Sequence, residues 1–234
     1  MIIAYFYRCH KRLNRLATEA LVWYTEINER RTAMKKLWIV ILIVTLVPAL
    51  LFGGCVYLFT AEKNDIYTDI SQYDQDIQQI CNAAKFMPDL DTLTGYQEIK
   101  YLYKVKHFAP ILGFRSDGFA LFVTYDDSQY EAKKLEALDS YEFLQEPVMR
   151  NSDTYELPLT EFTYRDYTMK VVPDGEYIDF CACKSFLMLG FNDEKHTIAY
   201  LYFYDFDVDL IASVGEDLEE EMGSFIEFNF AWPE

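Results

Sequence analysis

The chain has 234 residues, with 21 Lys and Arg against 38 Asp and Glu and a formal net charge of −17. Apolar residues make up 51% and aromatics 17%, with only 9 Gly and 7 Pro, which excludes intrinsic disorder, collagen and low-complexity classes. A basic face is absent from this balance, so no nucleic-acid partner is expected.

The average charge hides a partition along the chain. Residues 1–36 carry eight basic and three acidic groups, net +5, and residues 60–234 carry 13 basic and 35 acidic groups, net −22. Between them, Leu37 to Phe59 contains no charged side chain. At about 1.5 Å per residue this run reaches roughly 34 Å, enough for a bilayer core. Pro48 and the Gly53-Gly54 pair, costly in a soluble helix, are tolerated in membrane spans. The expectation is a single transmembrane helix over 37–59, acting as a signal-anchor with the lipid bilayer as its partner. Lys35 and Lys36 against the span put 1–36 in the cytoplasm and 60–234 outside the cell membrane.

Two details qualify that end of the chain. Leu51-Phe52-Gly53-Gly54-Cys55 looks like a bacterial lipobox, which makes Cys55 a lipidation candidate, although the sequence stays apolar beyond it. Glu29-Arg30-Arg31, if encoded GAA-AGG-AGG, would spell a ribosome-binding sequence before Met34, making 1–33 a mis-annotated start. The competing expectation is a basic amphipathic cytoplasmic helix, with Leu13, Leu16, Ala20 and Trp23 on one face.

The outer segment is of single-domain size. Ile66, Ile70, Tyr73, Ile77, Ile80 and Ala84 recur at three- and four-residue spacings, which predicts a helix over 65–84, ended before Pro88. Alternating Ile99, Tyr101, Tyr103 and Val105 predict a strand over 97–105. A buried strand over 119–125 follows an Asp117-Gly118 turn. A helix over 129–138 is opened by an Asp127-Ser128 cap with Glu131. Residues 145–158, polar with two prolines, predict a loop, and 162–172 a further strand stopped at Pro173-Asp174-Gly175. Residues 186–191 and 197–206 around Asn192-Asp193-Glu194-Lys195 predict a hairpin. The fold class expected is α+β, an antiparallel sheet packed against one or two helices.

Chemical motifs are few. Of three histidines, His107 and His196 lie in the outer segment, and both are expected in solvated loops or turns. A phosphate-binding Gly-rich loop, His-Glu-x-x-His and Cys-x-x-Cys are all missing from the sequence, and no cofactor is expected. Cys81, Cys181 and Cys183 are candidates for a disulfide between Cys81 and one of the other two, for three reduced thiols, or for metal or redox chemistry. Asp205, Asp207 and Asp209 would share one face of a strand and are weak candidates for a hard cation; a charged strand edge is the alternative. The acidic stretch from Gly215 to Gly223 predicts a solvated loop or short helix. Tyr200, Tyr202 and Tyr204 alternate with Leu201 and Phe203, so the strand has aromatics to bury on both faces, or one face to offer a peptide or glycan.

Two functions follow. The first is a membrane-anchored extracytoplasmic domain that binds or senses a protein or glycan at the cell surface, without catalytic activity. The second is a small surface hydrolase using clustered carboxylates, Glu161 or the Asp205–Asp209 group among them.

Overall fold

Period-two alternation of large apolar side chains needs a sheet buried on both faces, and the computed structural model supplies one. It describes residues 38, 42–47 and 53–54 of the N-terminal segment, and 62–80, 82–108, 114–174, 184–205 and 212–233 beyond it. The chain divides into two compact units, Met1–Tyr57 and Leu58–Glu234. In the first, the described residues are helical, and Trp38, Leu42, Ile43, Val44, Leu46 and Val47 expose about half or more of their surface. The expected span over 37–59 therefore lies mostly outside the described residues, as does Cys55. Among the described residues, no helix is long and apolar enough to cross a membrane.

The second unit runs β1 (Glu62–Tyr67), α1 (Tyr73–Gln79), α2 (Ala83–Phe86), β2 (Tyr96–Phe108), β3 (Phe114–Tyr125), α3 (Asp127–Ser140), β4 (Val148–Asn151), β5 (Thr154–Leu157), β6 (Glu161–Tyr164), β7 (Tyr167–Pro173), β8 (Lys184–Asn192), β9 (Thr197–Asp205), β10 (Ala212–Ser213) and α4 (Leu218–Asn229). Seven strands form an antiparallel sheet in the order β1-β2-β3-β9-β8-β7-β6, and β10-β5-β4 form a small second sheet. The α+β class and the large antiparallel sheet agree with the sequence expectation.

Each face of the large sheet has its own core. On one face Tyr101, Tyr103, Leu121, Val123, Leu187, Leu189, Tyr200 and Tyr202 meet Tyr73 and Ile77 of α1, Ala83 and Phe86 of α2, and Tyr130 and Ala137 of α3. On the other, Ala120, Phe122, Met169, Phe186, Met188, Leu201 and Phe203 meet Met222 and Ile226 of α4, then Phe230. The aromatic alternation of β9 is thus consumed on both sides. Buried tyrosine hydroxyls on the helix-rich face find acceptors: Tyr73 donates to the Pro88 carbonyl at 2.7 Å and Tyr141 to that of Phe86 at 2.8 Å. Burial pushes the Tyr141 phenol up to about 12.

Several expectations are corrected, among them the single strand over 162–172, which is the antiparallel hairpin β6–β7 turning at Arg165-Asp166. The helix over 65–84 begins only at Tyr73, because 62–67 pair with β2 as an edge strand in the register Glu62↔Phe108 to Tyr67↔Tyr103. Ile66, whose spacing suggested the helix, points outward there and is mostly exposed. Residues 148–157 form the β4–β5 hairpin in place of a loop, with Leu157 buried against the second core. The N-cap of α3 is Asp126, one residue earlier than expected; its carboxylate accepts from the Ser128 and Gln129 amides. Residues 218–229 form a full helix, α4, capped by Asp217, which accepts from the Glu220 amide.

Gly118 is not a turn residue: β3 runs straight through it. Its role is close approach. A Cβ at that position would stand 2.1 Å from the Asn229 carbonyl oxygen, so the missing side chain lets the C-terminal end of α4 rest on the sheet. Lys104, one strand over and in register with Gly118, donates to the carbonyls of Glu227 (3.1 Å) and Phe230 (3.3 Å) at the same helix end.

Candidate functional site

The register of four strands places one polar row on the face that carries α4. Glu98 pairs with Thr124, Thr124 with Thr197, and Thr197 with Asn192, so their side chains run side by side across β2, β3, β9 and β8. The adjacent row, Lys100↔Phe122↔Ala199, returns to the apolar core. Over the boundary between the two rows folds the end of the chain beyond α4. Trp232 stands edge-on to Phe122, Tyr164 and Tyr167 at centroid distances of 4.9, 5.0 and 5.2 Å, and the Arg165 guanidinium lies 5.3 Å above its ring.

Between this tryptophan and the polar row lies a cavity of about 320 Å³, bounded by Thr124, Thr197, Tyr167, Phe122, Trp232 and Pro233, with Glu98, Lys100 and Lys195 at its margin. Its size falls within the range of small-molecule sites. The two threonine hydroxyls are 3.0 Å apart, and that of Thr197 also donates to the Lys195 carbonyl at 3.1 Å. Tyr167 is held above the ordinary tyrosine range, first by burial and against the lowering influence of the Thr197 hydroxyl. At the margin, Lys100 pairs with Glu98 at 3.3 Å and Lys195 with Asp166 at 3.1 Å. At the end of the polar row stands Asn192, fully buried, whose carboxamide oxygen accepts the Lys195 amide at 2.7 Å and fixes the β8–β9 turn.

A second cavity, of about 280 Å³, adjoins the first at the edge of β2. Lys100 and Pro233 line both, and Ile99, Tyr101, Leu102, Thr68 and Ile70 complete the second. It exists because β1 pairs with β2 only as far as Tyr67↔Tyr103, after which the chain turns away at Thr68.

The residues singled out from sequence lie elsewhere. His107 is a strand residue of β2, not a loop residue, and its Nε2 stands 4.0 Å from Asp65. His196 sits in the hairpin turn with φ +48°, its Nδ1 2.9 Å from an Asp127 carboxylate that is itself 94% exposed. Asp205 is 1% exposed at the end of β9, in register with Ser116 and Lys184, so it is no hydrated strand edge. Its companions Asp207 and Asp209, and Cys81, Cys181 and Cys183, lie outside the described residues. Among the described residues no group of three His, Cys, Asp or Glu is placed to hold a metal ion. Glu161, on the outer strand β6, pairs with Lys170 and aligns through it with Leu189 and Tyr200, three strands away from Asp205 and five residues up. At about 4.8 Å per strand and 3.4 Å per residue, those two carboxylates are more than about 15 Å apart.

One buried ionic cluster was invisible in the sequence. Asp117, 1% exposed, accepts from Tyr103 Oη at 2.5 Å and from Arg115 Nη2 at 2.6 Å, and Arg115 Nη2 also reaches Tyr103 Oη at 2.6 Å. Arg115 and Asp117 are two apart on β3 and therefore on one face, with Tyr103 alongside on β2. All three partners are mutually satisfied, and the cluster ties β2 to β3 near the β1 edge. No known protein family matches this chain, and neither a curated protein nor a solved structure is similar to it.

Proposed function

We propose that the chain is a single-pass membrane-anchored protein whose 60–234 domain lies outside the cytoplasm and binds a ligand in the cavity beneath Trp232. The observation that carries the anchor is the helical stretch 42–47, where Leu42, Ile43, Val44, Leu46 and Val47 leave between 47% and 63% of their surface exposed. A water-facing helix with apolar side chains all round is unstable, and a hydrocarbon environment is the setting that covers it. The polar exception conforms: the Thr45 hydroxyl donates to the Leu42 carbonyl at 3.2 Å, as a hydroxyl inside a bilayer must. The charge partition on either side of 37–59 supports the orientation.

Binding in place of catalysis is supported by the cavity's own chemistry. Of the residues that line it, Glu98 alone is a carboxylate, and it is engaged by Lys100, where glycoside hydrolysis by carboxylates needs two flanking one bond. The hydrolase alternative drew on Glu161 and the Asp205, Asp207 and Asp209 group; the sheet keeps Glu161 and Asp205 apart, and Asp207 and Asp209 lie outside the described residues. The test is membrane topology. The full chain is expected to resist carbonate extraction, and a C-terminal alkaline phosphatase fusion to be active while a β-galactosidase fusion is not. Release of the protein by carbonate, or the reverse fusion pattern, overturns the reading.

A further inference from the structure

Resting on that placement outside the cell, we propose that the paired cavities beneath Trp232 bind an uncharged saccharide chain of at least two rings. Three features of the lining select this chemistry. First, the charged groups at the margin are already neutralised in pairs, Lys100 with Glu98 and Lys195 with Asp166. An anion entering the cavity would meet Glu98 beside Lys100 and Asp166 beside Lys195, and an apolar molecule would cover these charged groups with nothing in return. A neutral polyol avoids both penalties, because each of its hydroxyls both donates and accepts.

Second, the hydrogen-bonding groups inside are of the same mixed kind. The hydroxyls of Thr124, Thr197 and Tyr167 stand beside ammonium donors and a carboxylate acceptor. Third, the opposite wall is apolar and flat: Trp232, held upright by Phe122, Tyr164 and Tyr167, with Pro233 next to it. Such a wall packs against the C–H face of a sugar ring while its hydroxyl edge meets the threonine row. The length follows from the second cavity. Lys100 and Pro233 line both spaces, so a chain with one ring in the first can lay its next ring beside Ile70 and Ile99 at the open edge of β2.

The experiment uses the full chain in lipid nanodiscs, since a maltoside detergent would itself present sugar. The chain has three tryptophans, and replacing Trp23 and Trp38 by Phe leaves Trp232 as the reporter. Cellotriose, chitotriose and maltotriose are titrated separately, with their monosaccharides, glutamate and inorganic phosphate as comparisons. At least one trisaccharide is expected to shift Trp232 emission saturably, and to bind about tenfold or more tightly than its monosaccharide. Thr197→Val is expected to weaken trisaccharide binding by about tenfold, the effect of stranding buried polar partners. Lys100→Ala is expected to abolish the preference of trisaccharide over monosaccharide while monosaccharide binding persists. Absence of any response to all three trisaccharides overturns the proposal, as does tighter binding of glutamate or phosphate at Trp232. If the saccharides fail while the topology fusions behave as stated, this proposal falls alone; if the fusions reverse, the anchored reading falls whatever the sugars do.

Discussion

On one face of the seven-stranded sheet, α1, α2 and α3 bring Tyr73, Ile77, Phe86, Tyr130 and Ala137 onto an apolar and tyrosine-rich surface. On the other, α4 crosses near Gly118, Phe186 and Phe203, and the neighbouring rows around Thr124 and Thr197 are closed only by the chain end at Trp232 and Pro233. The strands are the same; the covering is not. Where helices cover the sheet, tyrosine hydroxyls are satisfied within the fold, by the Pro88 and Phe86 carbonyls and by the carboxylates of Asp76, Asp117, Asp193 and Asp174, and the surface serves stability. Where the covering is a short terminal segment, Glu98 and Thr124 of the polar row stay within reach of solvent beside a cavity. The helix-rich face does hold a smaller cleft of about 200 Å³ beside Tyr125, Tyr141 and Tyr200, where burial pushes the first two phenols up to about 12 and Lys133 pairs with Glu136 at 2.8 Å on the rim.

The contrast can be broken most severely from the helix-rich side. Leu189→Ala, at a fully buried position among α-helical neighbours, is expected to cost about 2–5 kcal/mol in urea unfolding followed by circular dichroism. A loss below about 1 kcal/mol would mean that this face is looser than its packing implies. Gly118→Ala tests the other side. The new Cβ meets the Asn229 carbonyl, which is backbone and cannot rotate away, so a loss of about 1–3 kcal/mol is expected. It should be accompanied by a change in Trp232 emission, since α4 leads directly into that residue; a loss of stability without that change would separate α4 from the cavity. Smaller still is Tyr73→Phe, which removes the hydroxyl donated to Pro88 and leaves its carbonyl short of a partner, for about 1 kcal/mol. Because the Tyr73 ring stacks edge-on to Tyr101 at 5.2 Å and is unaltered in the variant, the unfolding cooperativity should not change.

Much of the sheet was legible in the sequence because alternation survives burial on two faces. Ile99, Tyr101, Tyr103 and Val105 mark β2, and 186–191 with 197–206 mark the central hairpin. The misses have physical causes. Ile66 and Ile70 fall at a helical spacing with Tyr73 by arithmetic alone: one stands on an edge strand and the other in a 3-10 turn, and both are exposed. Helix α4 did carry a signal, Met222, Ile226 and Phe230 at four-residue spacing behind an Asp217 cap, but Gly223 and the run of glutamates obscured it. The cavity had no local signal to find. It depends on Thr124 meeting Thr197 across β3 and β9, and on residues 230–233 returning to β2, contacts between positions far apart in the chain. Register and chain return are decided by the whole core, so a motif search over neighbouring residues cannot see them.

The smallest expected effect lies in the β8–β9 turn, which ties both faces together. Its Asp193 accepts from Lys134 at 2.5 Å and from Tyr130 at 2.6 Å, fastening α3 to the hairpin, while Lys195 faces the cavity and pairs with Asp166. The Lys134 hydrogen bond, then that of Tyr130, holds the Asp193 carboxyl below the usual aspartate range. A carboxyl lowered in the folded state contributes stability that is fully present above its unfolded pKa and is lost as pH falls through the folded one. Asp193 is 66% exposed, so solvent screening limits the gain to less than about 1 kcal/mol. Asp193→Asn is therefore expected to be slightly less stable than the parent at about pH 7, and the gap to close as unfolding is repeated toward about pH 3. A gap that stays constant with pH would assign the effect to the shape of the turn in place of its charge. Asp166→Asn, across the same turn, removes a pair whose partners are each at least 60% exposed, and its unfolding curve should overlay the parent's at every pH. If it does not, the cavity side of the turn bears load after all, and the division of labour between the two faces is less clean than their coverings suggest.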